Sequence, residues 1–175
     1  YNAVATTAIT EVNEPGNTWY TVLLYLLNPA TGANNVVLSS NNLSGAMFSV
    51  SASYSGAKQS GQPDASATNG SSAATTMDFT VTTVLDKCWT VLAAHGQGTL
   101  SAGTGSTQRN KQTFSGTDCV IYDSNAEKTP AGSTTMTVTQ GTSTNMEGII
   151  ASFAPAIATA TGGRFASNMA MLKGG

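Results

Sequence analysis

Charge is almost missing from this chain, and that scarcity limits what it can fold into more than any other feature. Only 9% of its residues are Asp, Glu, Lys or Arg, while Ser, Thr, Gly, Ala and Asn fill most windows. A surface helix needs good helix formers and a strongly polar face opposite its apolar stripe. Here Ser, Thr, Gly and β-branched residues dominate, and their helix propensities are poor. No long amphipathic helix can be drawn anywhere. What can be drawn is a series of short segments in which apolar and polar residues alternate, the period-two signal of half-buried strands.

Residues 4–12 open that series and close at Asn13-Glu14-Pro15-Gly16-Asn17. Residues 19–27 follow, rich in aromatic and branched side chains, up to Asn28-Pro29-Ala30-Thr31-Gly32. There Pro presets φ and Gly permits a positive φ, which makes a turn. Residues 35–40 and 46–54 read as strands around the polar Asn41-Asn42. Residues 56–74, GAKQSGQPDASATNGSSAA, are of low complexity and predict an exposed loop. Residues 77–84 and 88–95 form a pair around Leu85-Asp86-Lys87, and 96–106 is Gly-rich and turn-like. Residues 108–114, 119–122, 134–139 and 146–153 complete the set. About ten short strands predict an all-β chain, an antiparallel β-sandwich or jelly roll, rather than a parallel α/β fold. One domain is expected over residues 1–155, with Pro155 ending the last strand and a C-terminal extension over 156–175.

Bulk properties remove several classes of partner. A net charge of −2, with 7 Lys and Arg scattered singly, offers no basic stripe for a phosphate backbone, so no nucleic acid is expected. No run approaches the roughly 18 apolar residues of a membrane span, and the most apolar stretch, 19–27, fits a buried strand better. The chain begins at Tyr1 without an initiator Met and shows no signal peptide, although an upstream one removed by processing is compatible with that. The two cysteines, Cys88 and Cys119, are compatible with a disulfide but do not demand one. They lack CxxC spacing and only His95 could assist them, so neither a metal nor another cofactor is expected.

Candidate sites are few. His95 is the only histidine, no G-x-S-x-G elbow accompanies it, and a strand-end histidine without a role is the simpler reading. Asp64, Asp118 and Asp123 form no D-x-D-x-D-G calcium loop. Glu11, Glu14 and Glu147 could supply paired carboxylates for glycosidase chemistry, but Glu11 and Glu14 flank a Pro-Gly turn, where solvation explains them. Gly96-Gln97-Gly98 and Gly103-Thr104-Gly105 precede no helix that could cradle phosphate. Trp19, Tyr20, Tyr25, Trp89 and Tyr122 could form a sugar-stacking platform, but Trp19 and Trp89 lie in apolar strands, which favours core roles. Asn42-Leu43-Ser44 and Asn69-Gly70-Ser71 match the glycosylation pattern at a frequency that so Asn- and Ser-rich a chain produces by chance.

Several stretches nevertheless recur together. Tyr1-Asn2-Ala3-Val4, the run from Trp19-Tyr20 to Leu27-Asn28-Pro29-Ala30-Thr31-Gly32-Ala33-Asn34, and Thr83-Val84-Leu85-Asp86-Lys87-Cys88-Trp89 appear in that order. Gly103-Thr104-Gly105-Ser106-Thr107-Gln108-Arg109, Pro130-Ala131-Gly132-Ser133 and the segment 146–155 follow. The series resembles a family of β-sandwich domains met in phage virion proteins and in bacterial surface or secreted proteins, whose motifs read Y-N-G-V, W-Y-L-x-x-P-A-T-G-x-N, T-x-x-D-N-x-W and P-A-G-S. Ala3 and Met146 stand where that family usually carries Gly and Trp. The family also carries one or two strands ahead of its Y-N-G-V segment. The resemblance thus implies a sandwich that is incomplete as written or that takes a strand from another chain. It implies a scaffold without shared catalytic residues.

The tail adds to this picture. Ile157, Phe165, Met169, Met171 and Leu172 are interrupted by Gly162-Gly163 and closed by Gly174-Gly175, which suggests an arm that packs on a neighbouring subunit, or else an extra strand of the same sandwich. The expectation is a non-enzymatic building block of a virion or of a cell-surface or extracellular assembly: a capsid-decorating, tail-associated or filament subunit forming a homo-oligomer through β edges and this arm. The alternative is a carbohydrate-binding adhesion module on a phage or bacterial surface, using exposed aromatics and Asn side chains.

Overall fold

The computed structural model describes residues 4–15, 19–33, 35–37 and 47–156. Every regular element in it is a strand, and every strand pair is antiparallel. β1 (Thr7–Asn13) and β2 (Tyr20–Tyr25) form a two-stranded sheet. β3 (Ala65–Thr82), β4 (Cys88–Gly96), β5 (Leu100–Ala102), β6 (Thr107–Phe114), β7 (Thr117–Lys128) and β8 (Ser133–Phe153) form a second sheet. Its order is β3-β8-β4-β7-β6, with β5 paired to β8.

The longest ribbon, β3 with β8, is folded over on itself. Phe79 pairs with Met136, and Asn69 with Gly148. The β8 residues between Met136 and Gly148 would span about 40 Å if straight. Yet a Cβ on Gly148 would stand only 2.8 Å from the Phe79 ring. The bend falls where the register slips, between Ser71 and Thr76 on β3, opposite Gln140-Gly141-Thr142-Ser143 of β8. Gln140 holds it closed, its buried side-chain amide donating to Ala74 O at 2.6 Å and Thr144 O at 2.9 Å. The two halves of one ribbon therefore become two facing layers, a sandwich-like arrangement.

Between the layers lies the main core. Met77, Phe79, Val81, Met136 and Val138 of the folded-over half meet Leu92, Ala94, Val120, Tyr122 and Ile150 of the other. A second cluster on the opposite face joins Leu23 to Ala93, Ile149 and Ala151, so the β1–β2 sheet lies over β4 and the end of β8. Both faces of β4 are thus covered. This explains why Cys88–Gly96 reads as an almost unbroken apolar run rather than an alternating one.

Among the described residues eight strands are present, and several expected segments are arranged differently. Segments 134–139 and 146–153 are one strand, β8, carried through the bend. The stretch 65–74, expected as loop, is the first half of β3. Its Ala, Ser, Thr and Asn residues contrast too little in polarity to show alternation, and pairing with β8 makes the strand, as tertiary context overrides weak local preference. The Gly-rich 96–106 contains the short β5, whereas residues 35–37 and 47–54 carry no strand. Ser115 and Gly116 both have positive φ, at 50° and 81°, and close β6 on β7 as a two-residue primed hairpin.

Cys88 and Cys119 are free thiols. Cys88 pairs with Lys128, while Cys119 pairs with His95, at opposite ends of the β4–β7 ladder. The intervening strand spans about 20 Å, far beyond the ~7 Å limit between bridged α-carbons. Residues 157–175, with Phe165, Met169, Met171 and Leu172, lie outside the described residues.

Gly148 tests the fold-over directly. A Cβ there would also meet the Ala93 carbonyl oxygen at 2.7 Å, which backbone cannot readily yield. Gly148→Ala should cost about 1–3 kcal/mol through overpacking, read as a lowered denaturant midpoint.

Candidate functional site

The face of β4, β7 and β6 that points away from the main core carries most of the polar chemistry. Gln112, Cys119, His95 and Glu147 are successive cross-strand partners from β6 through β7 and β4 to β8. Partners in register project to one face. His95 Nδ1 lies 2.5 Å from Glu147 Oε1, and the Thr21 hydroxyl donates to the same oxygen at 3.1 Å. The rings of Trp19 and Phe48 stand 5.4 and 6.1 Å from the imidazole, and Phe48 reaches on to Phe114 at 6.2 Å. His95, expected to have no role, is therefore a buried hydrogen-bond partner of Glu147 beneath two aromatic rings.

A cysteine, a histidine and a carboxylate in line invite comparison with a nucleophile, its base and an orienting acid. The chemistry here opposes that use. Burial, followed by the charges of Glu147 and Asp118, pushes the Cys119 thiol up to about 11. A thiol in that range is protonated at neutral pH and a poor nucleophile. His95 Nε2 is buried with no hydrogen-bond partner among the described residues, Cys119 included.

Buried acids recur around this row. Glu14, expected to be solvated at its turn, is buried and accepts from Gln97 Nε2 at 3.1 Å and from Asn145 Nδ2. Glu11 is exposed. Asp118 is ion-paired with Lys111 at 2.5 Å and accepts from the Thr113 hydroxyl at 2.6 Å and the Leu100 amide at 2.7 Å, tethering β5 to β7. Burial alone would raise its carboxyl; Lys111, Thr113 and the Leu100 amide outweigh that and hold it below the ordinary value. Asp64 caps the amides of Val84 and Leu85 at 2.7 and 3.2 Å. The three aspartates do not converge, and among the described residues no group of three His, Cys, Asp or Glu is placed to hold a metal.

Further along the same face, residues 51–54 and the β4, β6 and β7 strands line an open, shallow cleft of about 390 Å³. Tyr54, Trp89, Arg109, Asn110 and Asp123 line it. Arg109 donates from Nε to the fully buried Asp123 carboxylate at 2.6 Å and from Nη2 to Asn125 Oδ1 at 2.6 Å. The Asn125 amide donates to the other Asp123 oxygen at 2.9 Å. Burial opposes ionisation of Asp123, but Arg109, that amide, Trp89 and Tyr54 together keep its carboxyl low. Burial, then the Asp123 charge and hydrogen bond, push the Tyr54 hydroxyl well above its ordinary range.

The expected aromatic platform is scattered. Tyr122 is wholly buried in the core, and Tyr20 is exposed on the outer side of β2. Tyr25 donates to Gln62 O at 2.6 Å and stacks edgewise on Phe153. Trp19 covers His95, and only Trp89 reaches the cleft. Gly96 and Gly98 pack tightly against Leu100, Gln140 and Thr142, leaving no phosphate cradle. Asn69 lies in β3 and donates to Asp78 O at 2.8 Å; Asn42 falls outside the described residues. Arg109, Lys111 and Tyr54 were missed. The hairpin centred on Ser115-Gly116 would have found the first two, since it sets Lys111 beside Asp118 and Arg109 near Asp123 in a chain with few charges to pair.

Compared with known proteins, the chain matches no family model, no curated protein and no solved structure.

Two outcomes follow from the buried acids. Asp118 and Asp123 have depressed carboxyls, so the stability they contribute is full above about pH 4 and drains as pH falls through their lower folded values. Thermal melts should show Tm falling below about pH 4, and Asp118→Asn should remove part of that fall while lowering Tm at neutral pH. Glu147→Ala strands both His95 and the Thr21 hydroxyl. Breaking one side of such a buried pair should cost about 3–5 kcal/mol in guanidinium unfolding, and Glu147→Gln, which keeps an acceptor, should cost less.

Proposed function

We propose that this chain is a structural building block of a virion or an extracellular assembly, a capsid-decorating, tail-associated or filament subunit that joins copies of itself through sheet edges. The observation that carries this reading is the outer edge of β3. This strand ends the sheet order, runs from Ala65 to Thr82, and contains no Lys, no Arg and no Pro. Its one charged residue, Asp78, is occupied by the Thr137 hydroxyl at 2.6 Å.

Soluble β proteins usually guard their edges with Lys, Pro, inward charges or short strands, because unpaired amides and carbonyls template pairing with another chain. β3 is interrupted only at its bend, and the segments on either side remain regular. The outer side of β2 supports the same reading: Tyr20, Val22 and Leu24 are 61%, 44% and 37% exposed, an alternating apolar row facing away from Leu23. Small uncharged side chains suit close subunit contacts, where an unpaired buried charge would be costly. The resemblance to phage and surface sandwich domains points the same way, and residues 156–175 are proposed as a further contact between subunits.

Sedimentation velocity over a range of concentrations tests the proposal. The protein should assemble without added ligand, and Ser66→Lys with Thr68→Lys on the β3 edge should abolish assembly. Both residues are exposed, so stability should change by no more than about 0.5 kcal/mol. A protein that stays monomeric at every concentration would defeat it.

A further inference from the structure

We infer that the cleft between residues 51–54 and the outer face of β4, β6 and β7 is a binding site for one ring of a neutral saccharide. This inference stands apart from assembly, because it rests on a different surface from the β3 edge.

Size comes first. At about 390 Å³ the cleft lies near the lower end of small-molecule sites, which run from about 300 to 1,000 Å³. An open cleft of that size has room for one sugar ring lying against its floor. Its walls come next. Half-buried Trp89 offers an apolar ring edge, its indole N–H being turned into the protein, and the 43% exposed Tyr54 offers an apolar ring with a polar tip. A pyranose has the matching anatomy: a C–H face that packs on an aromatic ring, and a rim of hydroxyls that needs directional partners.

Arg109 supplies those partners in fixed positions. A guanidinium has five N–H donors in a rigid fork. Asp123 and Asn125 take one each, through Nε and Nη2, and so hold the plane of the group still. The donors on Nη1 remain for a ligand, and the side chain is 35% exposed. A side chain already locked by its neighbours loses little rotamer freedom on binding. Asn110 is set in the same way, donating to Ser51 O at 3.0 Å while accepting the Lys111 amide at 2.8 Å, so residues 51–54 are tied to β6.

Electrostatics selects the neutral class. The Asp123 carboxylate is wholly buried against Arg109, so the pair presents hydrogen-bond donors with little net charge. A phosphate or a sugar carboxylate would have to displace or oppose that carboxylate, whereas a hydroxyl would not. The exposed Tyr54 hydroxyl adds a neutral donor and acceptor for a ligand hydroxyl.

The test is NMR titration of the intact chain with methyl glycosides of glucose, galactose, mannose and N-acetylglucosamine, with glucuronate and inorganic phosphate as anionic arms. At least one neutral glycoside should give saturable shifts centred on Trp89, Arg109 and Tyr54, with Kd on the order of 1 mM. Tyr54→Ala, at an exposed position that leaves the Arg109 and Asn125 hydrogen bonds to Asp123 in place, should weaken binding at least about tenfold, equivalent to 1.4 kcal/mol. Arg109→Lys keeps the charge but loses the fork and should weaken it similarly. The inference is overturned if no neutral glycoside saturates, if only glucuronate or phosphate binds, or if Tyr54→Ala leaves the affinity unchanged. Binding that persists in the β3-edge variants would separate this site from the assembly surface, so failure of one proposal leaves the other standing.

Discussion

The contact of the Phe79 ring with the backbone of Gly148 is what the rest of the structure depends on. It exists only because the β3–β8 ribbon turns back on itself, and the turn exists only because the register slips opposite Gln140. From that one fold come the two facing layers, the main core between them and the covered inner face of β4. A side chain at position 148 would wedge the layers apart, so the absence of a Cβ there decides how closely two sheets can approach.

Legibility in the sequence followed contrast. Where large apolar residues alternate with polar ones, as in Met77, Phe79 and Val81, the strand could be read, and so could the all-β class. Where Ala alternates with Ser and Thr, as at Ala65 and Ala67, the difference in polarity is too small, and half of β3 looked like a loop. Continuity through the bend was hidden for the opposite reason: Gln140-Gly141-Thr142-Ser143 carries the signature of a turn, and it does bend the chain, but without ending the strand. The polar site was least legible. Residues 51–54 lie far in sequence from Trp89 and Arg109, and only the tertiary fold brings them together.

Scarcity of charge also turns out to carry a second meaning. A chain with few ionisable groups might be expected to leave them all in solvent. Instead Glu14, Asp118, Asp123 and Glu147, four of the nine acids, are buried. Each has a specific partner: Gln97 and Asn145, Lys111, Arg109, and His95 with Thr21. Such pairs add modest net stability, because desolvation offsets most of their attraction, but a mispaired register leaves one of them stranded at high cost. Their effect is to penalise wrong strand pairings, which a sheet of interchangeable Ser and Thr residues would otherwise tolerate.

The position of β8 in the order of synthesis has a consequence of its own. It is the hydrogen-bonding partner of β3, β4 and β5, yet it leaves the ribosome after all three. About fifty residues separate the end of β3 from the start of β8, which at 5–20 residues per second is a wait of several seconds. Throughout that interval the edge of β3 that β8 will take is still unpaired, and its backbone is as open to a second nascent copy as to its own chain. A polypeptide arranged this way gains from being made sparsely, or beside a chaperone, so that the closing strand reaches its own ribbon before a stranger does.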